Sequence, residues 1–352
     1  MLPPAFRPLP EVRWGILGCG DVTEVKSGPA LQKCTGSRLV AVMRRDAAKA
    51  ADYARRHGVP RHYSDAAALC ADPEVNAIYI ATPPGSHLEL ARLAAASGKP
   101  AYVEKPYGRS AVEAAAINAA FADAGLPVFA AYYRRALPRF VKVRELLASG
   151  AIGRVAGVVL RLAAPPPRDN WRLDPAVSGG GLFYDHGSHT LDLLDLFVGP
   201  LRDVSGHAAN RSGLHPAVED TVALTFLTAD GAPGAAHWNF AAPHREDCIE
   251  IHGGTGRILF SVFSEEPVRL QRTSATAGLT EEVFDIPHPP HVQQPLIQTV
   301  VDTLRGLPGA TCPSTGDSAL RTSLVMDTAL DRFYGGRADA FWLRARATLA
   351  SA

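Results

Sequence analysis

Along residues 13–131, short apolar runs alternate with alanine-rich segments that carry polar residues on one side only. The runs cover 14–17, 39–43, 77–81, 101–103 and 128–131, with a weaker one near Tyr63. Between them, 46–57, 87–97 and 110–124 read as helices, because alanine has the highest helix propensity. Strand and helix in alternation predict parallel βαβ units. After Arg139 the texture changes: a helix over 140–149 stops at Gly150, and strands follow at 155–162, 218–227, 234–240, 248–252 and 257–260. Pro165-Pro166-Pro167 and Gly179-Gly180-Gly181 flank one clear helix, 187–197. Strands with so few interposed helices predict an open, mostly antiparallel sheet with helices on one face. Two helices, 292–304 and 318–334, finish the pattern. The expected fold class is α/β, a doubly wound parallel sheet in residues 1–131 and a second α/β domain in 132–352.

Composition narrows the partners. At 352 residues and 47% hydrophobic content the chain can bury two cores. With 36 Lys+Arg against 35 Asp+Glu it lacks the field that nucleic-acid binding needs. Five scattered cysteines without C-x-x-C spacing point to reduced thiols in the cytoplasm. No run reads as a signal peptide or a membrane span, so no membrane partner is expected.

Candidate chemistry begins at Gly18-Cys19-Gly20, directly after the first predicted strand. Glycines there let a pyrophosphate approach main-chain amides at a helix start, so Gly18, Cys19, Gly20, Asp21 and Val22 are the expected phosphate contacts. Thr23 stands where a third Gly or Ala would permit close helix packing, and Gly28-Pro29 would interrupt the helix that follows. A ribose-binding carboxylate is expected after the second strand, yet the run is Arg44-Arg45-Asp46. Two guanidiniums suit a 2′-phosphate, which favours NADP over NAD. The competing reading leaves the arginines in solvent and makes Asp46 a helix cap. Thr82 and Pro83 would wall the cofactor, and His87, opening the next helix, joins these contacts; as a catalyst it is a poorer candidate than as a capping or packing residue.

Glu104-Lys105-Pro106 ends the fifth strand, where open α/β sheets bind ligands. Pro106 biases Lys105 away from helical conformation, and an ammonium held in one direction stabilises a developing alkoxide. Farther on, Asp185 and His189 lie four apart at the start of the predicted helix and share a face. An imidazole beside a carboxylate is a suitable acid–base group; the plainer reading is an N-cap and a surface histidine. His186, His189 and Asp192 have metal-compatible spacing. Gly253-Gly254-Thr255-Gly256 reads as a hairpin turn, and 289–295 as a loop–helix junction.

Together the strand–GxG start, Glu104-Lys105-Pro106 and the G-G-G-x-x-x-D-x-G-x-H run from Gly179 to His189 resemble the glucose-fructose oxidoreductase / inositol dehydrogenase / rhizopine-catabolism (Gfo/Idh/MocA) family, from about Val12 to Tyr334. The resemblance implies a Rossmann domain, an α/β domain whose open sheet often joins subunits into a homodimer or homotetramer, and hydride transfer between NAD(P) and a sugar, polyol or related alcohol. It makes Lys105, Asp185 and His189 the catalytic set, with Glu104 beside the cofactor as well. It implies no metal, and none is expected at His186, His189 and Asp192. Tyr133 and Arg134, in the stretch Tyr132-Tyr133-Arg134-Arg135, and the pair Trp171-Arg172 match stretches near the substrate. Thr23 and the two arginines depart from the NAD-type pattern. The alternatives are a non-catalytic NAD(P) sensor and a redox-assisted lyase or glycosidase with transient hydride transfer. Net NAD(P)H accumulation would separate the dehydrogenase from the second.

Overall fold

The computed structural model describes residues 2–167, 170–274, 278–338 and 340–344, which form two compact units. Residues up to Gly108, Val112–Leu137 and Pro289–Leu320 make the first; Arg109–Ala111, Pro138–His288 and residues from Arg321 make the second.

In the first unit, β1 (Val12–Leu17), β2 (Ser37–Met43), β3 (Arg61–Tyr63), β4 (Ala77–Ile80), β5 (Ala101–Val103) and β6 (Val128–Ala130) pair in parallel in the order β3-β2-β1-β4-β5-β6. That is the doubly wound order with its switch between β1 and β4. The helices are α1 (Asp21–Val25), α2 (Gly28–Lys33), α3 (Ala47–His57), α4 (Ala66–Ala71), α5 (His87–Ala96) and α6 (Ala111–Asp123). Alanines let the helices approach closely: Ala91, Ala94 and Ala114 are fully buried in one cluster with Ile78, Ile80, Val103 and Ile117. Gly28-Pro29 does break the first helix, Pro29 falling in the first turn of α2.

The second unit carries β7 (Val155–Ala163), β8 (Arg202–Ala209), β9 (Thr221–Leu227), β10 (Pro233–Asn239), β11 (Glu246–Gly253), β12 (Gly256–Phe260), β13 (Val268–Ser274) and β14 (Gly278–Phe284) in the order β14-β13-β12-β11-β7-β10-β9-β8. Apart from the parallel pair β7/β10, neighbours run antiparallel. Along β9 and β10 buried and exposed residues alternate, so one face of the sheet is covered and the other open. Helices α7 (Pro138–Ala148), α8 (Pro175–Ser178) and α9 (Ser188–Val198) belong here. Phe140 meets Phe197 and Phe260, and Phe183 packs edge-on to Trp238 at 4.8 Å. The turn at Gly254 joins β11 to β12 as an antiparallel hairpin.

The chain then supplies α10 (Gln294–Leu304) and α11 (Gly316–Tyr334). Residues 289–320 rejoin the first unit, which corrects the expected continuous domain 132–352. The cause is an apolar stripe on α10, Leu296, Ile297, Val300, Val301 and Leu304, that is buried. Main-chain and side-chain bonds tie the segment in: Leu9 N donates to Leu304 O at 2.9 Å and Ser314 Oγ to Ala130 O at 2.7 Å. The first boundary falls at Leu137/Pro138 instead of 131/132, which places Tyr133 and Arg134 in the first unit. No helix among the described residues is long and apolar enough to cross a membrane.

Candidate functional site

The parallel strands of the first unit end along one edge, and most candidates there follow directly from a strand end. Gly18 and Cys19 donate their amides to Met43 O at the end of β2, which folds the glycine turn back over β1. Gly18 has φ +91°, and a Cβ there would collide with Thr82 beyond β4. Gly20 is different. Its backbone is extended, and a Cβ would meet nothing closer than Gly18 O at 3.9 Å. The fold therefore does not need a glycine at position 20; the open space before it fits a group that approaches the main chain closely. Asp21 and Val22 begin α1, where first-turn amides lack an intrahelical acceptor. Thr23 is fully buried and receives the Gly20 amide on Oγ1 at 3.0 Å while donating to Gly20 O at 2.7 Å. Close packing passes to Gly28, where a Cβ would strike both Thr23 O and the Tyr53 hydroxyl.

Arg44 reaches back over this turn, with Nη1 donating to Cys19 O at 3.4 Å, whereas Arg45 is exposed. Asp46 caps α3 by accepting from Lys49 N at 3.1 Å, so it is committed to the helix. Thr82 is half-buried and Pro83 exposed beyond β4. His87 is wholly buried, with Nε2 2.7 Å from Thr82 O and Nδ1 3.4 Å from Tyr107 O. It joins two loops from behind and presents no surface, which replaces the direct cofactor contact expected of it.

Beyond β5, Glu104 is buried and receives three donors: Tyr79 Oη at 2.6 Å and Gln293 Nε2 at 2.7 Å on Oε1, and Lys105 N at 3.1 Å on Oε2. Burial pushes the Tyr79 and Tyr102 phenols well above their ordinary range, which keeps both as donors. Tyr102 donates to Gln293 Oε1 at 3.1 Å, fixing the amide so that its nitrogen faces Glu104. Glu104 thus acts as the anchor of the strand end, and Lys105 follows it half-exposed, joined to Pro106 by a cis peptide. On the short turn Tyr133–Ala136, Arg134 stacks over the Tyr133 ring at 4.9 Å and donates to its hydroxyl at 2.9 Å, both side chains being buried.

The second unit gathers the other candidates. Arg172 lies over the Trp171 ring at 4.5 Å and donates through Nε to Asp185 Oδ2 at 3.0 Å. Asp185 sits on a π-helical turn, Phe183–Gly187, that leads into α9. Gly187 is required there, because a Cβ would lie 2.6 Å from the Phe183 ring. Carbonyls at this junction are taken up by hydroxyls: Ser188 Oγ donates to Asp185 O and Thr190 Oγ1 to Gly187 O, each at 2.8 Å. His189 follows one turn after Asp185, buried, with the Phe263 ring edge-on at 6.0 Å. The triple glycine serves packing: Gly179 has φ +90°, and Gly181 donates to the buried Glu219 at 2.8 Å, a carboxylate also held by Tyr334 Oη at 2.6 Å. Sequence reasoning therefore named Trp171, Arg172, Asp185 and His189, and the unit brings them within one neighbourhood. It missed Tyr79, Gln293 and Phe263, which stand in no motif; the only signal for Gln293 was its place at a loop–helix junction.

Comparison with known proteins adds to this geometry. The family described as "Oxidoreductase family, NAD-binding Rossmann fold" matches residues 12–132, and the "GFO/IDH/MocA C-terminal domain" matches 140–259. Oxidoreductase P35 of Formosa agariphila is 38% identical over 299 residues, 83% of this chain and 90% of that one. D-xylose 1-dehydrogenase (NADP(+)) 2 of Haloferax volcanii is 34% identical over 188 residues, 53% of this chain and 57% of its own. A levoglucosan dehydrogenase solved with NADH and levoglucosan shares the fold, with a TM-score of 0.79 at 22% identity over 91% of this chain and 96% of that one.

Proposed function

The chain belongs to the Gfo/Idh/MocA oxidoreductase family, and from that premise we propose that it transfers hydride between NADP and a secondary alcohol or carbonyl of a sugar, polyol or related small molecule. The observation that carries the reading is the Asp185–His189 pair, one turn apart at the start of α9 with Asp185 held by Arg172. When bound, the nicotinamide supplies the hydride acceptor or donor.

The remaining steps fall to side chains. In oxidation His189 takes the hydroxyl proton as the substrate C–H bond breaks, and the Lys105 ammonium stabilises the alkoxide-like charge. Asp185 orients the substrate hydroxyl or the imidazole, and reduction uses the same groups in reverse. Trp171, Arg172, Tyr133 and Arg134 are the proposed substrate contacts. The open space at Gly20 and the amides opening α1 fit a pyrophosphate. Arg44, beside the glycine turn, supports the choice of NADP, since a guanidinium pairs with a 2′-phosphate.

Five free cysteines support a reducing cytoplasm. The open sheet face, with Val159, Ala223 and Ala235 partly or wholly exposed, supports assembly into a homodimer or homotetramer. A screen of sugars and polyols with NADP and NAD, read at the nicotinamide absorbance, tests the activity. Lys105→Ala and His189→Ala should each lower kcat by about 10²- to 10⁴-fold; near-normal turnover by both correctly folded variants would overturn the assignment.

A further inference from the structure

The connection between β12 and β13 is fixed more firmly than a surface hairpin requires. Asp247, on β11, accepts three successive amides: Val262 N at 2.9 Å, Phe263 N at 2.6 Å and Ser264 N at 3.0 Å. From α7 the buried Arg139 donates to the carbonyls on the same connection, to Ser264 O at 2.6 Å and to Glu266 O, and to Ser261 Oγ at 3.3 Å. A carboxylate holds the amides and a guanidinium holds the carbonyls, so the loop keeps one conformation. Phe263 is the residue so placed. Its ring stands edge-on to His189, with centroids 6.0 Å apart at 72°, and 5.1 Å from His186. Phe240 meets His186 at 5.7 Å, so that imidazole has an aromatic neighbour from each of two elements.

We propose that Phe263 is a positioning residue for His189, and that Asp247 and Arg139 serve the reaction through it. The inference rests on His189 being the proton acceptor. An imidazole must turn one ring nitrogen toward the reacting hydroxyl, and an aromatic ring packed T-shaped against it restricts its rotation. Loss of that wall disturbs proton transfer and leaves substrate affinity nearly intact.

The test uses the full-length enzyme with Phe263→Leu, Phe263→Tyr, Asp247→Asn and the double variant F263L/D247N. The expected result is a fall in kcat of about tenfold for F263L and for D247N with KM within about twofold, recovery in F263Y, and a double variant no slower than the slower single one. Unchanged kcat in folded F263L, or losses that multiply in the double variant, overturns the proposal; should F263L fail to fold, D247N with F263Y carries the same test. A second arm needs no turnover: in ¹³C-histidine-labelled protein the His189 Cε1–H resonance, assigned with His189→Gln, should move in F263L and D247N. An unmoved resonance overturns the positioning claim. Absence of nicotinamide-linked turnover in the unsubstituted protein, with the resonance shift present, overturns the proposed function alone.

Discussion

Arg172 donates through Nε to Asp185 Oδ2 at 3.0 Å while its guanidinium lies over the Trp171 ring. Two planar contacts thereby fix a carboxylate on the turn that precedes His189. Arg172 is about two-fifths exposed, so the ion pair adds little to folding and its value lies in orientation. Arg172→Ala should lower kcat/KM about tenfold and move Tm by no more than about 2 °C. Arg172→Lys should fail to restore activity, because an ammonium can neither stack nor keep the planar geometry. Steady-state kinetics beside thermal melts check both statements.

The two glycines of the turn should separate under substitution. Gly18→Ala places a side chain at φ +91° against Thr82 and should cost about 1–2 kcal/mol or more. Gly20→Ala meets only Gly18 O, at an ordinary contact distance of 3.9 Å, so stability should hold while NADP affinity falls about tenfold or more. Melting curves and cofactor titration by fluorescence distinguish the two. A Gly20→Ala protein that binds NADP normally would remove the phosphate role from that position.

Arg44 and Arg45 should also differ. Arg44 bonds to the glycine turn and Arg45 is exposed, so Arg44→Ala should lower kcat/KM for NADP by about 10- to 100-fold and leave NAD nearly unchanged. Arg45→Ala should have the smaller effect. A strong NAD preference in the unsubstituted enzyme would overturn the reading of both arginines.

Burial holds the His87 imidazole below its ordinary pKa of about 6.5, so the folded protein keeps it neutral where the unfolded chain accepts a proton. Its contribution is complete above about pH 6.5 and is lost as pH falls through the lower folded value. Melting temperatures between pH 7.5 and 5 should therefore fall more steeply in the unsubstituted protein than in His87→Gln. Equal slopes would show that His87 does not control the acid limb.

Where burial alternates or runs unbroken, the elements were legible: β1, β4, β9 and β10, and the alanine-faced helices of the first unit. The strands β8, β13 and β14 were not. Arg202–Ala209 and Gly278–Phe284 bury none of their side chains, and Val268–Ser274 sets Val268 and Leu270 in the core amid a polar run, so little of a period is written into them. The border falls elsewhere than expected because periodicity reports which residues are buried and not which unit buries them; α10 has an ordinary amphipathic pattern yet packs against α2 and the Tyr133–Ala136 turn, made far earlier. Motif residues such as Lys105, Asp185 and His189 stand out by spacing, whereas Gln293, Asp247 and Phe263 act through contacts 15 to 189 residues away in sequence. Arg44 and Asp46 show both outcomes in one tripeptide: one arginine reaches the glycine turn, and the acid is spent on capping.

Gln293 completes the hydrogen bonds of Glu104 from 189 residues downstream. During synthesis the ribosome delivers the Glu104-Lys105 strand end long before it delivers this partner, and chains begin folding from the amino terminus as they emerge. A nascent chain halted before α10 would expose the seat of Leu296, Ile297 and Val300 and hold Glu104 one donor short. The first unit is therefore complete only with residues 289–320 in place, and truncation at residue 288 should leave an unfinished fold instead of a free-standing nucleotide-binding domain.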